Sequence, residues 1–245
     1  MLALTKKLLH FIYRPSLKFI VVPKHLAIIM DGNRRWAAKK SLSSKIGHYK
    51  GAENLKKIVS YLSKSQVKYL TVYAFSTENW NRDHREINEL MKLLNSFLDR
   101  ELKDLIKKQI KIKILGNLNK FPQATIDKIK KLEDSTKNFD QLQFNVALNY
   151  GGREEIIAAV QSYTKSSNKL DLVESNFKDY LYSKDIPDPD LIIRTGGEMR
   201  LSNFLLWQSA YTELYFSKKY WPDFNKRDLY NAFLNYSNRK RRFGV

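Results

Sequence analysis

Strand-like and helix-like stretches alternate along this chain, and that alternation constrains its fold more than any single motif. The apolar run at residues 25–30, HLAIIM, reads as a buried strand. Residues 52–66 then place Leu55, Ile58, Val59 and Leu62 at i, i+3, i+4 and i+7, the pattern of an amphipathic helix. Residues 69–75 are β-branched and aromatic, a second strand. A long helix is predicted over 86–108, with Ile87, Leu90, Met91, Leu94, Leu98, Leu102 and Leu105 at helical spacing. The alternating IKIKIL at 110–115 predicts a third strand, and Pro122 suits the first turn of a helix over about 122–137. Residues 142–148 predict a fourth strand, and Gly151-Gly152 opens a helix through Ile156, Ile157 and Val160. A helix near 174–183, a short strand and loop at 190–197, a strand at 213–217 and a helix from about 226 complete the pattern. Such repeated alternation predicts βαβ units: a single α/β domain with a mostly parallel central sheet of about six strands, flanked by helices. In sheets of this kind ligands bind beyond the carboxyl ends of the strands.

A chain of 245 residues, 43% apolar, supplies one well-buried domain. The domain is expected over 24–245, preceded by a variable basic extension over 1–23. No apolar run approaches the length of a membrane span, and the apolar N-terminal piece is broken by Arg14, Pro15 and Lys18. That piece has three readings: a contact lying on a membrane surface, an organelle transit peptide, or a plain extension. The formal charge of +19 points to an anionic partner: nucleic acid, a phosphorylated substrate or a membrane surface. There is no cysteine, which excludes disulfides, thiolate zinc sites and cysteine nucleophiles. The four histidines form no HExxH pair and no cluster at metal-ligand spacing.

Chemistry gathers at the predicted strand ends. The first strand runs into Asp31, the one acidic residue among the first 52, then Gly32, Asn33, Arg34, Arg35 and Trp36. The second runs into Ser76-Thr77-Glu78-Asn79-Trp80-Asn81-Arg82, the fourth into Asn149-Tyr150-Gly151-Gly152-Arg153, and the strand near 190 into the segment from Arg194 to Asn203. Glycine lets backbone N–H groups approach an oxyanion, arginine forks take phosphate bidentately, and Asp31 would hold Mg²⁺ against the same phosphates. For any one loop, a turn with solvated charges accounts for the same residues. Neither GxxxxGK[ST] nor a GxGxxG after a strand occurs, which argues against P-loop and ordinary dinucleotide binding. Met91, Leu94, Phe97 and Leu98 read by default as core packing, with an apolar tunnel as the alternative.

The blocks HLAIIMDGNRRWA, GHYKGAENL, TVYAFSTENWNR, NVALNYGGREEI and DLIIRTGGEMRLSNFLLWQSAYTELYF, followed by WPDF, resemble the cis-prenyltransferase family in order and spacing over about residues 24–244. The resemblance implies an enzyme that adds isopentenyl diphosphate repeatedly, in cis, to an allylic diphosphate, with farnesyl diphosphate the expected primer. The expected product is a long-chain polyprenyl diphosphate, a lipid-carrier precursor of the undecaprenyl kind, with a short- or medium-chain cis-prenyl diphosphate as the alternative. It also implies Mg²⁺, a homodimer, an apolar tunnel for the growing chain and no nucleic-acid partner. A cytoplasmic location with peripheral membrane contact follows, while the extension leaves organelle import open. Carried over residue by residue, the central aspartate is Asp31, with Asn79 as the family's proton acceptor. The allylic-diphosphate cradle is Gly32, Asn33, Arg34, Arg35 and Trp36 with His48 and Arg82. The Ser-x-Glu-Asn-Trp block is Ser76, Thr77, Glu78, Asn79 and Trp80, and the isopentenyl-diphosphate site is Arg194, Arg200, Leu201 and Ser202. Glu213 is the second metal-associated carboxylate. A carboxamide is a very poor base, so Asn79 is read here as a positioner.

Three positions depart from the family pattern. Arg34 stands where many bacterial members carry glycine, Ser44 where an arginine is usual (Lys45 is adjacent), and Met199 where a histidine is frequent. Two rival readings remain distinct: a basic nucleic-acid-binding protein, and a catalytically silent partner subunit. The arginines cluster with glycines at strand ends rather than along a reading helix, and both Asp31 and the RTGGEMRLS loop are intact.

Overall fold

The computed structural model describes residues 20–100, 102–166 and 171–240. Six strands form where the alternation placed them: β1 His25–Ile29, β2 Tyr69–Ser76, β3 Ile110–Leu115, β4 Leu142–Tyr150, β5 Leu191–Arg194 and β6 Glu213–Phe216. Every pairing is parallel, and the order across the sheet is β3-β4-β2-β1-β5-β6. The chain leaves β1 toward β2 on one side and later returns to β5 on the other, so the crevice beyond β1 lies at a topological switch point. Central β1 is buried along its whole length, as its unbroken apolar run requires, whereas edge strand β3 alternates.

The helices are α1 Asn33–Lys39, α2 Ser44–Leu62, α3 His84–Arg100, α4 Leu102–Lys107, α5 Gln123–Thr136, α6 Gly152–Lys165, α7 Glu174–Phe177 and α8 Lys226–Ser237. One sheet face, carrying Leu26, Ile28, Leu70, Val72, Phe144 and Leu191, packs against α2, α3, α5 and α8 to make the main core. The other face, carrying Ala27, Ile29, Ala147 and Ile192, packs against Ile186, Phe204 and Leu205. Glu155 of α6 secures that covering chain by accepting from Tyr182 N–H and from Gln208 Nε2. At full burial each Leu, Ile, Val or Phe side chain of these cores contributes roughly 1.5–3 kcal/mol.

Several boundaries differ from the sequence reading. Helix α2 begins eight residues before the expected 52, because Gly47 and Gly51 look like turn residues but serve close packing against Asn33. The long helix expected over 86–108 is described as α3 and α4, on either side of residue 101. The helix expected to reach 183 stops at Phe177 and tightens into a 3-10 turn over Lys178–Tyr180. The extension over 1–23 and the end of the basic tail lie largely outside the described residues. Ile20 is already buried, and Val21 N–H donates to Ser237 Oγ (3.1 Å). No described helix is long and apolar enough to cross a membrane.

Candidate active site

Parallel register brings the central charges together. Ile29 pairs with Arg194 across β1 and β5, so Asp31, two residues on, emerges beside that arginine at the carboxyl rim. The Asp31 backbone carbonyl accepts from Thr195 Oγ1 (2.7 Å) and Trp221 N–H (3.0 Å). Its side-chain Oδ2 receives Arg194 Nη2 at 2.9 Å and lies 3.1 Å from Arg35 Nη2, one turn ahead on α1. Arg194 is only 4% exposed, and its Nη1 donates to the Arg200 carbonyl and to Ser202 Oγ (2.8 Å). Gly32 takes φ 107°, a left-handed turn, and a Cβ there would lie 2.6 Å from Tyr220. Glu198 bridges Arg35 (3.0 Å) and Arg200 (2.6 Å). Burial works against the Arg35 charge, but Asp31 and Glu198 outweigh it and hold the guanidinium above its ordinary range.

A second cluster forms where α1, α2 and α3 meet. Glu86 faces two arginines and a histidine: Arg82 Nη1 at 2.9 Å, His48 Nε2 at 3.2 Å and Arg34 Nη1 at 3.6 Å. Burial pushes His48 below its ordinary value despite the Glu86 contact, so the imidazole is neutral near pH 7. Burial alone would push Glu86 up, but Arg82, His48 and Arg34 hold its carboxyl low. After β2, whose pairing with β4 is irregular at Tyr73–Ser76, the chain tightens into a 3-10 turn over Thr77–Asn81. Asn79 Oδ1 accepts from Ser76 N–H (3.1 Å), which occupies its carboxamide in the turn.

Three cavities open from this rim. One of about 590 Å³ is lined by Asp31, Gly32, Asn33, Arg34, Arg35, Ser44, His48 and Arg82. A second, about 540 Å³, is lined by Asp31, Ser76, Glu78, Asn79, Arg82, Arg194 and Ser202, together with Tyr73 and Asn203. The third, about 140 Å³, is apolar and lies between α2, α3 and the sheet, against Leu90, Met91, Leu94, Phe97 and Phe144. Met30, Asn33 and His48 line all three.

Most residues picked from sequence therefore meet at these cavities, and the exceptions are instructive. Trp36 is buried beneath Lys40, whose ammonium lies 4.4 Å from the ring centre. Trp80 packs edge-on against Phe75 and Phe121 and donates to Asn149 Oδ1 (2.7 Å). Thr77 closes against Gly151, and Leu201 packs with the Phe204 cluster on the opposite sheet face. Arg200 reaches the rim through Glu198. Lys45 pairs with Glu89 on α3 (3.1 Å), while Ser44 lines the cavity, and Met199 is 77% exposed. Leu98 is core, whereas Met91, Leu94 and Phe97 line the apolar cavity.

Two expectations are not met: the metal role that the family resemblance implied for Glu213, and the anion-cradling role that the strand-end reading gave Gly151-Gly152. Glu213 opens β6 opposite Leu191, which itself pairs with Leu26. That level is five residues before Asp31, about 16 Å along a strand. Glu213 instead binds Arg239 Nη1 (2.5 Å), so one chain does not bring the two expected metal carboxylates together. Gly151-Gly152 forms no part of the cavities: a Cβ on Gly151 would lie 2.7 Å from Asn203 Nδ2, and one on Gly152 2.8 Å from Leu206 Cγ. These glycines admit another loop rather than an anion. The sequence reading placed Glu198 and Asn203 in the rim segment without giving either a role, and passed over Glu86 and Tyr73. Of the two passed over, Glu86 carried a local signal, its i, i+4 spacing from Arg82.

An arginine-lined rim joined to an apolar cavity suits a substrate with a charged head and a hydrocarbon tail. A family model described as "Putative undecaprenyl diphosphate synthase" matches residues 29–244, and the chain belongs to that family. An isoprenyl transferase of Thermotoga maritima is 50% identical over 226 residues, covering 91% of this chain and 97% of that protein. The Micrococcus luteus ditrans,polycis-undecaprenyl-diphosphate synthase, (2E,6E)-farnesyl-diphosphate specific, is 48% identical over 228 residues, covering 91% and 92%. Among solved structures, lavandulyl diphosphate synthase from Lavandula x intermedia, in complex with dimethylallyl diphosphate, superposes with TM-score 0.87 at 37% identity, covering 91% of this chain and 98% of that one. A probable undecaprenyl diphosphate synthase from Campylobacter jejuni gives 0.78 at 36% identity, covering 92% and 100%.

Proposed function

We propose that the protein extends farnesyl diphosphate, by successive cis additions of isopentenyl diphosphate, into a long-chain polyprenyl diphosphate of the undecaprenyl kind. The observation that carries this reading is the sharing of Met30, Asn33 and His48 by both polar cavities and the apolar one. An allylic diphosphate seated there would keep its head among arginines and its tail between α2 and α3. In each cycle the double bond of isopentenyl diphosphate attacks the allylic carbon, the C–O bond breaks, diphosphate leaves and one proton departs. Asn33, Arg34, Arg35, His48 and Arg82 take the leaving diphosphate, whose charge grows as that bond breaks. Arg194, Arg200 and Ser202 orient the second diphosphate so that its double bond faces the allylic carbon. Asn79 holds the turn through Ser76, and the departing proton goes to a diphosphate oxygen or water.

The donor set fits Mg²⁺ through one carboxylate completed by diphosphate oxygens, since both arginines engage the same oxygen of Asp31. When bound, the ion would neutralise charge on the leaving diphosphate. No group of three or more acidic or histidine side chains among the described residues would hold a metal without substrate. A homodimer and peripheral membrane contact remain part of the proposal on family resemblance, the second supported by the net charge of +19.

The test is incubation with farnesyl diphosphate, labelled isopentenyl diphosphate and Mg²⁺, with products separated by thin-layer chromatography. A ladder ending in a long chain is expected. Folded protein that elongates no allylic primer would overturn the reading. Asp31→Ala is expected to lower kcat at least ~100-fold, and Asn79→Asp to leave the pH–rate profile in place.

A further inference from the structure

We propose that Asn203 is a positioning residue that ties the turn bearing Glu78 to the loop bearing Ser202, fixing both walls of the second polar cavity in one register. This rests on the proposed function for its consequence in turnover, but its geometry stands separately. Asn203 bonds in three directions. Its carbonyl accepts from Gly152 N–H (2.7 Å), its Oδ1 accepts from Arg153 N–H (2.9 Å), and its Nδ2 donates to Glu78 Oε1 (2.8 Å). A planar amide alone offers an acceptor to a helix start and a donor to a carboxylate from one short side chain. Aspartate would keep the first bond and set a like charge against Glu78. Alanine would lose both.

The backbone around Asn203 is held against its own preference. Ser202, Asn203 and Leu205 have φ of 49°, 66° and 46°, each in the left-handed region, which persists only where neighbours over-determine it. The first turn of α6 supplies that constraint, through Gly152 and Arg153 at one end and through Glu155, which accepts from Gln208 Nε2 (3.0 Å), at the other. Gly151 is the clearance for it, since a Cβ there would meet both Asn203 Nδ2 and Thr77 Oγ1 at 2.7 Å. Ser202, next in the chain, takes the buried Arg194 fork that also holds Asp31. Asn203 thus joins Glu78 on one cavity wall to the Ser202–Arg194–Asp31 line on the other.

The experiment compares the full chain with Asn203→Ala, Asn203→Asp, Glu78→Gln and Asn203→Asp/Glu78→Gln. Its readouts are kcat and KM for isopentenyl diphosphate across pH 5–8, and an NMR titration of the Glu78 carboxyl. Asn203→Ala and Asn203→Asp are expected to lower kcat/KM about tenfold or more. In the Glu78→Gln background Asn203→Asp should cost less than about twofold, because an amide again faces a carboxylate. Asn203→Asp should regain activity as pH falls, when one of two facing carboxyls (with the Tyr73 phenol beside them) takes a proton. Glu78 now titrates below its ordinary value: burial pushes it up, but the Asn203 bond and nearby hydroxyl and backbone bonds outweigh that. In Asn203→Ala it should move up. Equal cost of Asn203→Asp in both backgrounds, or an unmoved Glu78 titration, overturns the proposal. If the wild type elongates nothing, the functional reading fails, and the titration still decides the Asn203–Glu78 link.

Discussion

Gly47 and Gly51 lie one turn apart on α2, and Asn33 fills the notch they leave. A Cβ on Gly47 would lie 2.2 Å from the Asn33 backbone carbonyl, whereas one on Gly51 would lie 2.4 Å from the tip of the Asn33 side chain. Alanine improves helix propensity by ~1 kcal/mol at either position, so propensity alone predicts two stabilising changes. Contact predicts otherwise. Gly47→Ala must push α1 off α2 and should destabilise by about 1–3 kcal/mol in urea unfolding. Gly51→Ala should leave stability nearly intact and raise KM for the allylic diphosphate, by turning the Asn33 amide. Arg194→Lys tests the buried fork. A single ammonium cannot serve Asp31, Ser202 and the Arg200 carbonyl together, so a loss of about 1–3 kcal/mol in stability and a higher KM for isopentenyl diphosphate are expected.

Helix α3 presents two apolar surfaces that sequence spacing cannot tell apart. Leu94 and Leu98 are one turn apart, yet Leu94 faces the apolar cavity and Leu98 the core. Helical periodicity reports which side of a helix is apolar, not whether that side meets packed atoms or a void. If the cavity extends into a tunnel for the chain, bulk on α3 sets product length. Met91→Trp should shorten the product ladder on thin-layer plates, and Phe97→Ala should lengthen it. Were Phe97 ordinary core, its truncation would cost about 3–5 kcal/mol and leave the ladder unchanged.

Across the whole molecule, two properties follow from charge and burial. His25, at the amino end of the sheet, is sealed between the Pro187 carbonyl (2.6 Å) and Thr71 Oγ1 (2.7 Å), and burial lowers its pKa from 6.5 to about 4. The unfolded chain then binds more protons at this site between those values, so the contribution of His25 to stability is level above about pH 6.5 and falls as pH drops toward 4, by about 3 kcal/mol. Urea unfolding at pH 7.5 and 5 checks this, and His25→Gln should reduce the slope, leaving the share of His48. The net charge of +19 should steer anionic substrates, so kcat/KM is expected to fall with added salt while kcat holds. The strands, their parallel pairing and the arrival of Asp31 and Arg194 at one rim were legible in the sequence, because strand period is local and a parallel sheet delivers every strand's carboxyl end to one rim. Residue type at the strand ends then marked Arg35 and Arg82, and the family resemblance marked His48. Only the tertiary structure decided that Glu213 pairs its carboxylate with Arg239, that Gly151-Gly152 makes room for Asn203, and that Glu86 gathers Arg34, His48 and Arg82. Those outcomes depend on register and on loops packing across long sequence separations, which no local spacing encodes.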